Sequence, residues 1–219
     1  MSNLLSIRQK KLLDELLKHE KLDDYILRAF FDIDRTHFVP KGFGVAANKL
    51  NALPLKSEQW ISSPLTVAKM TKALEPKGAD SVLEIGCGSG YQAAILSRLF
   101  RRVFSIERIE VLLFEARAAF RELGILNVNI KLDDGLNGWP EFAKFDRILF
   151  SASIDEIPQN IFDQLSDDDG ILVSPITKGN KQIITKFRKN KYMIVQEEIE
   201  ECLFVPVLRG VSKAIEPSD

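Results

Sequence analysis

Ser81-Val82-Leu83-Glu84-Ile85-Gly86-Cys87-Gly88-Ser89-Gly90-Tyr91 runs from an apolar stretch into three glycines spaced two apart. Apolar and β-branched residues up to Ile85 read as a strand. Three glycines at alternate positions then let the backbone turn sharply and approach a ligand closely, and a helix opens near Tyr91. Arg102-Val103-Phe104-Ser105-Ile106-Glu107 follows as a second strand ending in an acid, 21 residues past Gly86. An acid at that distance can hydrogen-bond ribose hydroxyls, so the two strands and their turn describe a nucleoside-cofactor site.

The residues around the glycines separate two users of this architecture. A dinucleotide fingerprint requires G-x-G-x-x-G, and the third glycine would fall where Tyr91 stands. The order here is Glu84-x-Gly86-x-Gly88-x-Gly90, with Cys87 and Ser89 between the glycines. Glu84 would repel a pyrophosphate but complements the ammonium of a bound amino acid. S-adenosylmethionine has an ammonium and a ribose and no phosphate, which makes it the expected cofactor. A nicotinamide dinucleotide and a chance glycine loop are the alternatives.

At 219 residues the chain can bury one substantial core. Its 30 basic and 31 acidic side chains leave a net charge of -1, which gives no general field for a polyanion, so no nucleic-acid partner is expected. Basic clusters at Arg98, Arg101 and Arg102 and at Lys186, Arg188, Lys189 and Lys191 read as solvated faces or a hairpin turn. No apolar stretch approaches the roughly 20 residues that span a bilayer, and Met1 to Arg8 holds too short an apolar segment for a signal peptide. A cytoplasmic protein without membrane attachment is expected, and a monomer. Cys87 and Cys202 have no metal spacing, so no metal is expected. Cys87 fills a small slot in the glycine loop, and Cys202 is assigned to an apolar strand.

Leu5, Leu12, Leu13, Leu16 and Leu17 share helical spacing, and a second helix is expected from Asp23 or Asp24 through Phe31, which together form an N-terminal helical cap. Phe38-Val39-Pro40-Lys41-Gly42 breaks helix, and the stretch to Trp60 reads as irregular. Ser63 and Pro64 then supply the N-cap and first position of a helix to about Leu74. Strands are expected near 81–86, 103–107, 128–132, 145–150 and 171–175, with helices near 91–100, 109–123 and 158–165. That alternation specifies an α/β fold: a doubly wound, Rossmann-like, mostly parallel sheet with helices on both faces. Residues 182–187, 192–198 and 202–208 read as strands without helices, so the sheet ends in an antiparallel hairpin. Residues 1–80 are expected as helices and a substrate loop packed on a cofactor-binding core of residues 81–219.

In such a sheet ligands lie beyond the carboxyl ends of the strands. Glu107 ends the second strand, with opening of the next helix as its alternative role. Asp133-Asp134-Gly135 ends the third, where a carboxylate can accept the adenine amino group, with a simple turn as the alternative. Leu136 and Trp139 are apolar enough to line a base, and Trp139 also fits the core. His19 reads as surface, and His37 as part of the loop before Phe38.

Beyond these local readings, Phe38-Val39-Pro40, Leu53-Pro54, Ile61-Ser62-x-Pro64, Val82 to Ala94, Ile106-Glu107-Arg108, Asp134-Gly135-x-x-Gly138-Trp139-Pro140, Phe145-Asp146, Ile157-Pro158, Gln164-Leu165 and Phe204-Val205-Pro206 together resemble the protein-L-isoaspartate O-methyltransferase family. The resemblance implies methyl transfer from S-adenosylmethionine to the free carboxylate of isoaspartyl residues in damaged proteins. It implies cofactor contacts from Glu84, Gly86, Cys87, Gly88, Ser89, Gly90, Glu107, Arg108, Asp134 and Gly135. It makes Ser62 the active-site serine, against a capping role for the same residue, and makes Val205 and Pro206 part of a peptide-binding segment, against a place in the core. The acceptor half departs from the family. Asn48 and Leu50 stand where an aromatic and an acidic residue are usual, Trp60 replaces a small hydroxyl residue, and Leu65 replaces His or Tyr. Two alternatives therefore stand beside repair: a methyltransferase of the same fold acting on a different, small-molecule acceptor, and a non-catalytic S-adenosylmethionine-binding module.

Overall fold

The computed structural model describes residues 2–213, with side chains from residue 7 onward. The chain opens with helices α1 (Ser2–His19) and α2 (Asp24–Asp32). Leu12 and Leu16 of α1, one turn apart, and Ile26, Ala29 and Phe30 of α2 are buried in the same core. Leu17, expected on that face, is 49% exposed, and the side chain of Leu5 lies outside the described residues. A 3₁₀ turn at Arg35–Phe38 leads into a long loop that is not wholly irregular. Its strands β1 (Leu53–Pro54) and β2 (Trp60–Ile61) pair as a two-residue antiparallel ribbon. Helix α3 (Pro64–Ala73) follows with the expected start: Pro64 is its first residue, and the Ser63 hydroxyl accepts the Thr66 N–H at 3.1 Å.

The main sheet is formed by β3 (Ser81–Ile85), β4 (Arg102–Glu107), β5 (Val128–Leu132), β6 (Arg147–Phe150), β7 (Gly170–Lys178), β8 (Lys181–Lys189) and β9 (Ile194–Cys202). Its order is β5-β4-β3-β6-β7-β8-β9, parallel from β5 through β7 and antiparallel from β7 through β9. Period-2 alternation divides the buried residues of the strands. Val82, Val103 and Leu149 join the core under the N-terminal helices, while Leu83, Phe104 and Phe150 join a second core on the opposite face. Helices α4 (Tyr91–Leu96), α5 (Glu110–Glu122) and α6 (Gln159–Phe162) connect the strands. The first and last are shorter than expected.

Three expectations for the tail are corrected. Residues 203–208 form no strand. Pro206 makes an isolated bridge to Ser153, and the proline, having no N–H, cannot continue a ladder. The strand ending in Cys202 carries four glutamates and is mostly exposed rather than apolar. Of the basic cluster, Lys191 lies exposed in the turn of the β8–β9 hairpin, as expected of a hairpin turn, whereas Lys186, Arg188 and Lys189 are only part-exposed and sit on β8 against acids. Lys186 pairs with Glu75, and Arg188 reaches Glu75 at 2.7 Å and also pairs with Asp169. Lys189 pairs with Asp167 at 2.8 Å.

The chain leaves β3 to one side for β4 and β5, then crosses to the other side for β6. The crevice at that switch point opens beyond the carboxyl ends of β3, β4 and β6.

Candidate active site

The glycine loop is held by the strand next to it. The N–H groups of Gly86 and Cys87 both donate to the Ile106 carbonyl, at 2.9 and 3.1 Å. Gly86 and Gly88 adopt φ of 95° and 55°, where a side chain would be strained. Glu107 joins the loop to the start of α5, one carboxylate oxygen accepting the Gly88 N–H at 2.7 Å and the other the Ile109 N–H at 2.8 Å. The helix-opening role read as the alternative for Glu107 is present, although the carboxylate is buried at 4% exposure rather than solvated. Burial pushes its carboxyl above the ordinary range, against the lowering effect of backbone donors. Each oxygen keeps acceptor capacity for a further hydroxyl.

Glu84 is wholly buried in β3. Its oxygens accept from the Ser105 hydroxyl at 2.6 Å and the Ser151 hydroxyl at 3.1 Å. With only these neutral donors, burial pushes the carboxyl up to about 8. Cys87 occupies its slot with the thiol also raised by burial, so it is not a thiolate nucleophile at neutral pH.

The other wall of the crevice rests on Arg35. This wholly buried guanidinium donates to the carbonyls of Ala47 at 2.6 Å, Asn51 at 3.1 Å, Ile61 at 3.5 Å and Ser62 at 2.9 Å, and lies 5.6 Å from the centre of the Tyr91 ring. One cation thus ties the loop, the β1–β2 ribbon and the residue Ser62 to the first helix of the cofactor motif. Desolvation lowers it to about 10, which keeps it charged at neutral pH. The third wall is the segment after β9. The Ser153 N–H donates to the Val205 carbonyl at 2.8 Å, the Val207 N–H returns to the Ser153 carbonyl at 2.7 Å, and Gln182 holds both the N–H and the carbonyl of Phe204.

One cavity of about 960 Å³, open solvent at its mouth included, brings together Ser62, Glu84, Gly86, Cys87, Gly88, Ser89, Glu107, Arg108, Gly135, Val205 and Pro206. Gly90 and Asp134 are not among its lining residues. A Cβ on Gly90 would stand 2.8 Å from Phe120, so this glycine serves the packing of α4 on α5. Asp134 spends one oxygen on the Leu136 N–H at 2.9 Å and the other on the Gly210 N–H at 2.9 Å, closing a turn and fastening the tail. Leu136 and Trp139 pack in the second core, where Trp139 lies against Phe104 and Phe142, rather than along the cavity. His19 is exposed, and His37 lies in the 3₁₀ turn, 3.2 Å from Glu122.

Sequence reasoning missed Arg35, Ser105, Ser151 and Gln182. Ser105 had a signal, being a hydroxyl at an interior position of an otherwise apolar strand, which implies a buried polar partner. Arg35 had none, because its partners are backbone carbonyls far along the chain. A buried carboxyl with no cation of its own, aimed into the crevice beside an acid with spare acceptor capacity, suits a ligand bearing an ammonium and vicinal hydroxyls.

Comparison with known proteins agrees with this architecture. Residues 7–212 match the family model described as Protein-L-isoaspartate(D-aspartate) O-methyltransferase (PCMT). The chain is 52% identical over 207 residues to "Protein-L-isoaspartate O-methyltransferase" of Helicobacter pylori (strain J99), covering 94% of this chain and 99% of that protein. It is 42% identical over 193 residues to the protein of the same name from Maricaulis maris (strain MCS10), covering 88% and 90%. Among solved structures, a protein-L-isoaspartate O-methyltransferase superposes with a TM-score of 0.83 at 29% identity, over 90% of this chain and 65% of that one. A second, described as putative and from Plasmodium falciparum, superposes at 0.82 with 21% identity, over 92% and 99%, and shares the fold. With the family model spanning nearly the whole chain and close relatives matched end to end, this chain belongs to the protein-L-isoaspartate(D-aspartate) O-methyltransferase family.

Proposed function

We propose that this chain transfers the methyl group of S-adenosylmethionine to the free carboxylate of L-isoaspartyl residues in damaged proteins. The observation that carries the reading is that one cavity joins the acid-flanked glycine loop to Ser62 and the Val205-Pro206 segment. The named relatives support it, and so does the Plasmodium structure, which holds S-adenosyl-L-homocysteine.

When bound, S-adenosylmethionine supplies a sulfonium methyl carbon. Glu84 would hold its ammonium and Glu107 its ribose hydroxyls, with the Gly86 to Ser89 backbone and Gly135, which line the same cavity, as close walls. The acceptor needs no general base, because a carboxylate, which ordinarily titrates at about pH 4, is already ionised at neutral pH. Among the described residues the cavity is lined by no histidine. What remains is orientation and exclusion of water. The Ser62 hydroxyl can donate to the acceptor carboxylate, while Arg35 fixes the Ser62 backbone from behind.

Labelled methyl transfer to one peptide in its isoaspartyl and ordinary aspartyl forms tests the reading. Transfer to the isoaspartyl form alone is expected, with Ser62→Ala lowering turnover at nearly unchanged affinity for S-adenosylhomocysteine. Transfer to neither form, with that affinity intact, would give the site to another acceptor. The same reading takes the chain as a cytoplasmic monomer without a nucleic-acid partner. The near-even charge balance supports the absence of a polyanion partner, and no described helix is long and apolar enough to cross a membrane. Sedimentation at micromolar concentration tests the monomer.

A further inference from the structure

A carboxylate carried on a polypeptide reaches Ser62 only if the chain flanking it lies across the rim of the cavity. That rim is apolar. Trp60 stands two residues before Ser62 on β2, opposite Pro54. Strand alternation sends Ile61 into the core at 4% exposure and turns Trp60 outward at 55%. Leu208, 51% exposed, and the half-buried Phe204 line the same cavity from the segment after β9. Single exposed apolar residues are ordinary, but here three converge on one opening from two separate parts of the chain. The acids that line the cavity, Glu84 and Glu107, are 0% and 4% exposed and belong to its floor. The other charged or amide side chains of the lining that keep some exposure are Gln59 and Arg108, whose guanidinium donates to the Gly210 carbonyl at 3.0 Å, so an incoming side chain that meets Trp60, Phe204 and Leu208 meets apolar surface and an indole.

We propose that Trp60, Phe204 and Leu208 form a subsite for an apolar or aromatic side chain adjacent to the isoaspartyl residue, so that this chain selects damaged sites flanked by such residues. The proposal rests on the carboxyl methyltransferase reading and adds the chemical class of its preferred acceptors. Trp60 acts as a specificity residue: its contact forms when the peptide docks and leaves the reacting oxygen and methyl carbon alone.

The test uses the full chain and isoaspartyl peptides identical except for Phe, Leu, Gly or Glu on one side, then the other, of the isoaspartyl residue. On at least one side, kcat/KM for the Phe and Leu peptides should exceed that for Gly by roughly tenfold, mainly through KM, as expected for one apolar group filling an open site. Trp60→Thr should collapse that ratio toward one, and Trp60→Phe should keep most of it. Affinity for S-adenosylhomocysteine, measured on all three proteins, separates a lost subsite from a lost fold. Equal kcat/KM for all flanking residues, or a preference that survives in Trp60→Thr, would overturn the proposal while leaving the isoaspartyl activity standing. No transfer to any peptide by cofactor-competent wild-type protein would remove both readings together.

Discussion

Glu84 rests on two serine hydroxyls, and burial holds its carboxyl near pH 8, so the free protein carries it protonated at neutral pH. A ligand ammonium at this site favours the ionised form, so binding must release a proton below about pH 8. Affinity for S-adenosylhomocysteine should rise with pH up to that point, by at most about tenfold per unit. Titration calorimetry in buffers of different ionisation heat checks the proton release, and Glu84→Gln should abolish it. For stability the sign is opposite. The folded pKa lies above the unfolded value of 4.5, so the contribution of this group is complete below 4.5 and is lost as pH rises through about 8. Arg35 is a wholly buried cation whose partners are carbonyls rather than a carboxylate. Arg35→Met should cost about 3 kcal/mol in urea unfolding, since buried acceptors lose their donor. It should also raise the peptide KM more than it weakens S-adenosylhomocysteine binding, because Arg35 holds the Ser62 wall and not the glycine loop.

Among the elements, α4 and α5 meet at Gly90, which has φ of 89° and no room for a methyl group between Phe120 and Ala116. Gly90→Ala should destabilise the protein by about 3 kcal/mol, combining left-handed backbone strain with overpacking. A second change, Phe120→Leu, should recover part of the urea midpoint; no recovery would place the cost in the backbone alone. The alternation of strand and helix made β3, β4 and β5 readable to within one residue at each end, whereas β6 starts two residues later and β7 runs three residues further than the pattern implies. The tail was read less well. Cys202 to Leu208 is apolar enough for a strand, yet Gln182 and Ser153 capture its backbone groups and bend it across the cavity. The pattern of side chains along a segment does not reveal that competition.

Across the whole molecule, one continuous core runs from Leu12 and Phe30 of the N-terminal helices through Tyr91 to Ile184 of the sheet. Residues 1–80 and 81–219 should therefore unfold together. Trp60 lies in the first part and Trp139 in the second, and they are the chain's two tryptophans. Denaturation of Trp60→Phe and Trp139→Phe proteins, each followed by its remaining tryptophan, should trace transitions that coincide with circular dichroism of the same variant. Two separated transitions would show the N-terminal part to be an independent unit. The doubly wound sheet, the glycine turn, the acid at the end of β4 and the family are all legible in the chain's residues alone, because each is encoded by local period, glycine spacing or contiguous motif. Long-range packing alone reveals that Gly90 seats α4 against Phe120 and Ala116, that Asp134 closes a turn, that Arg35 supports Ser62, and that Trp60 faces the rim. Each of those outcomes depends on partners distant in the chain, and a side chain goes to whichever of them the packing brings within hydrogen-bond or van der Waals reach.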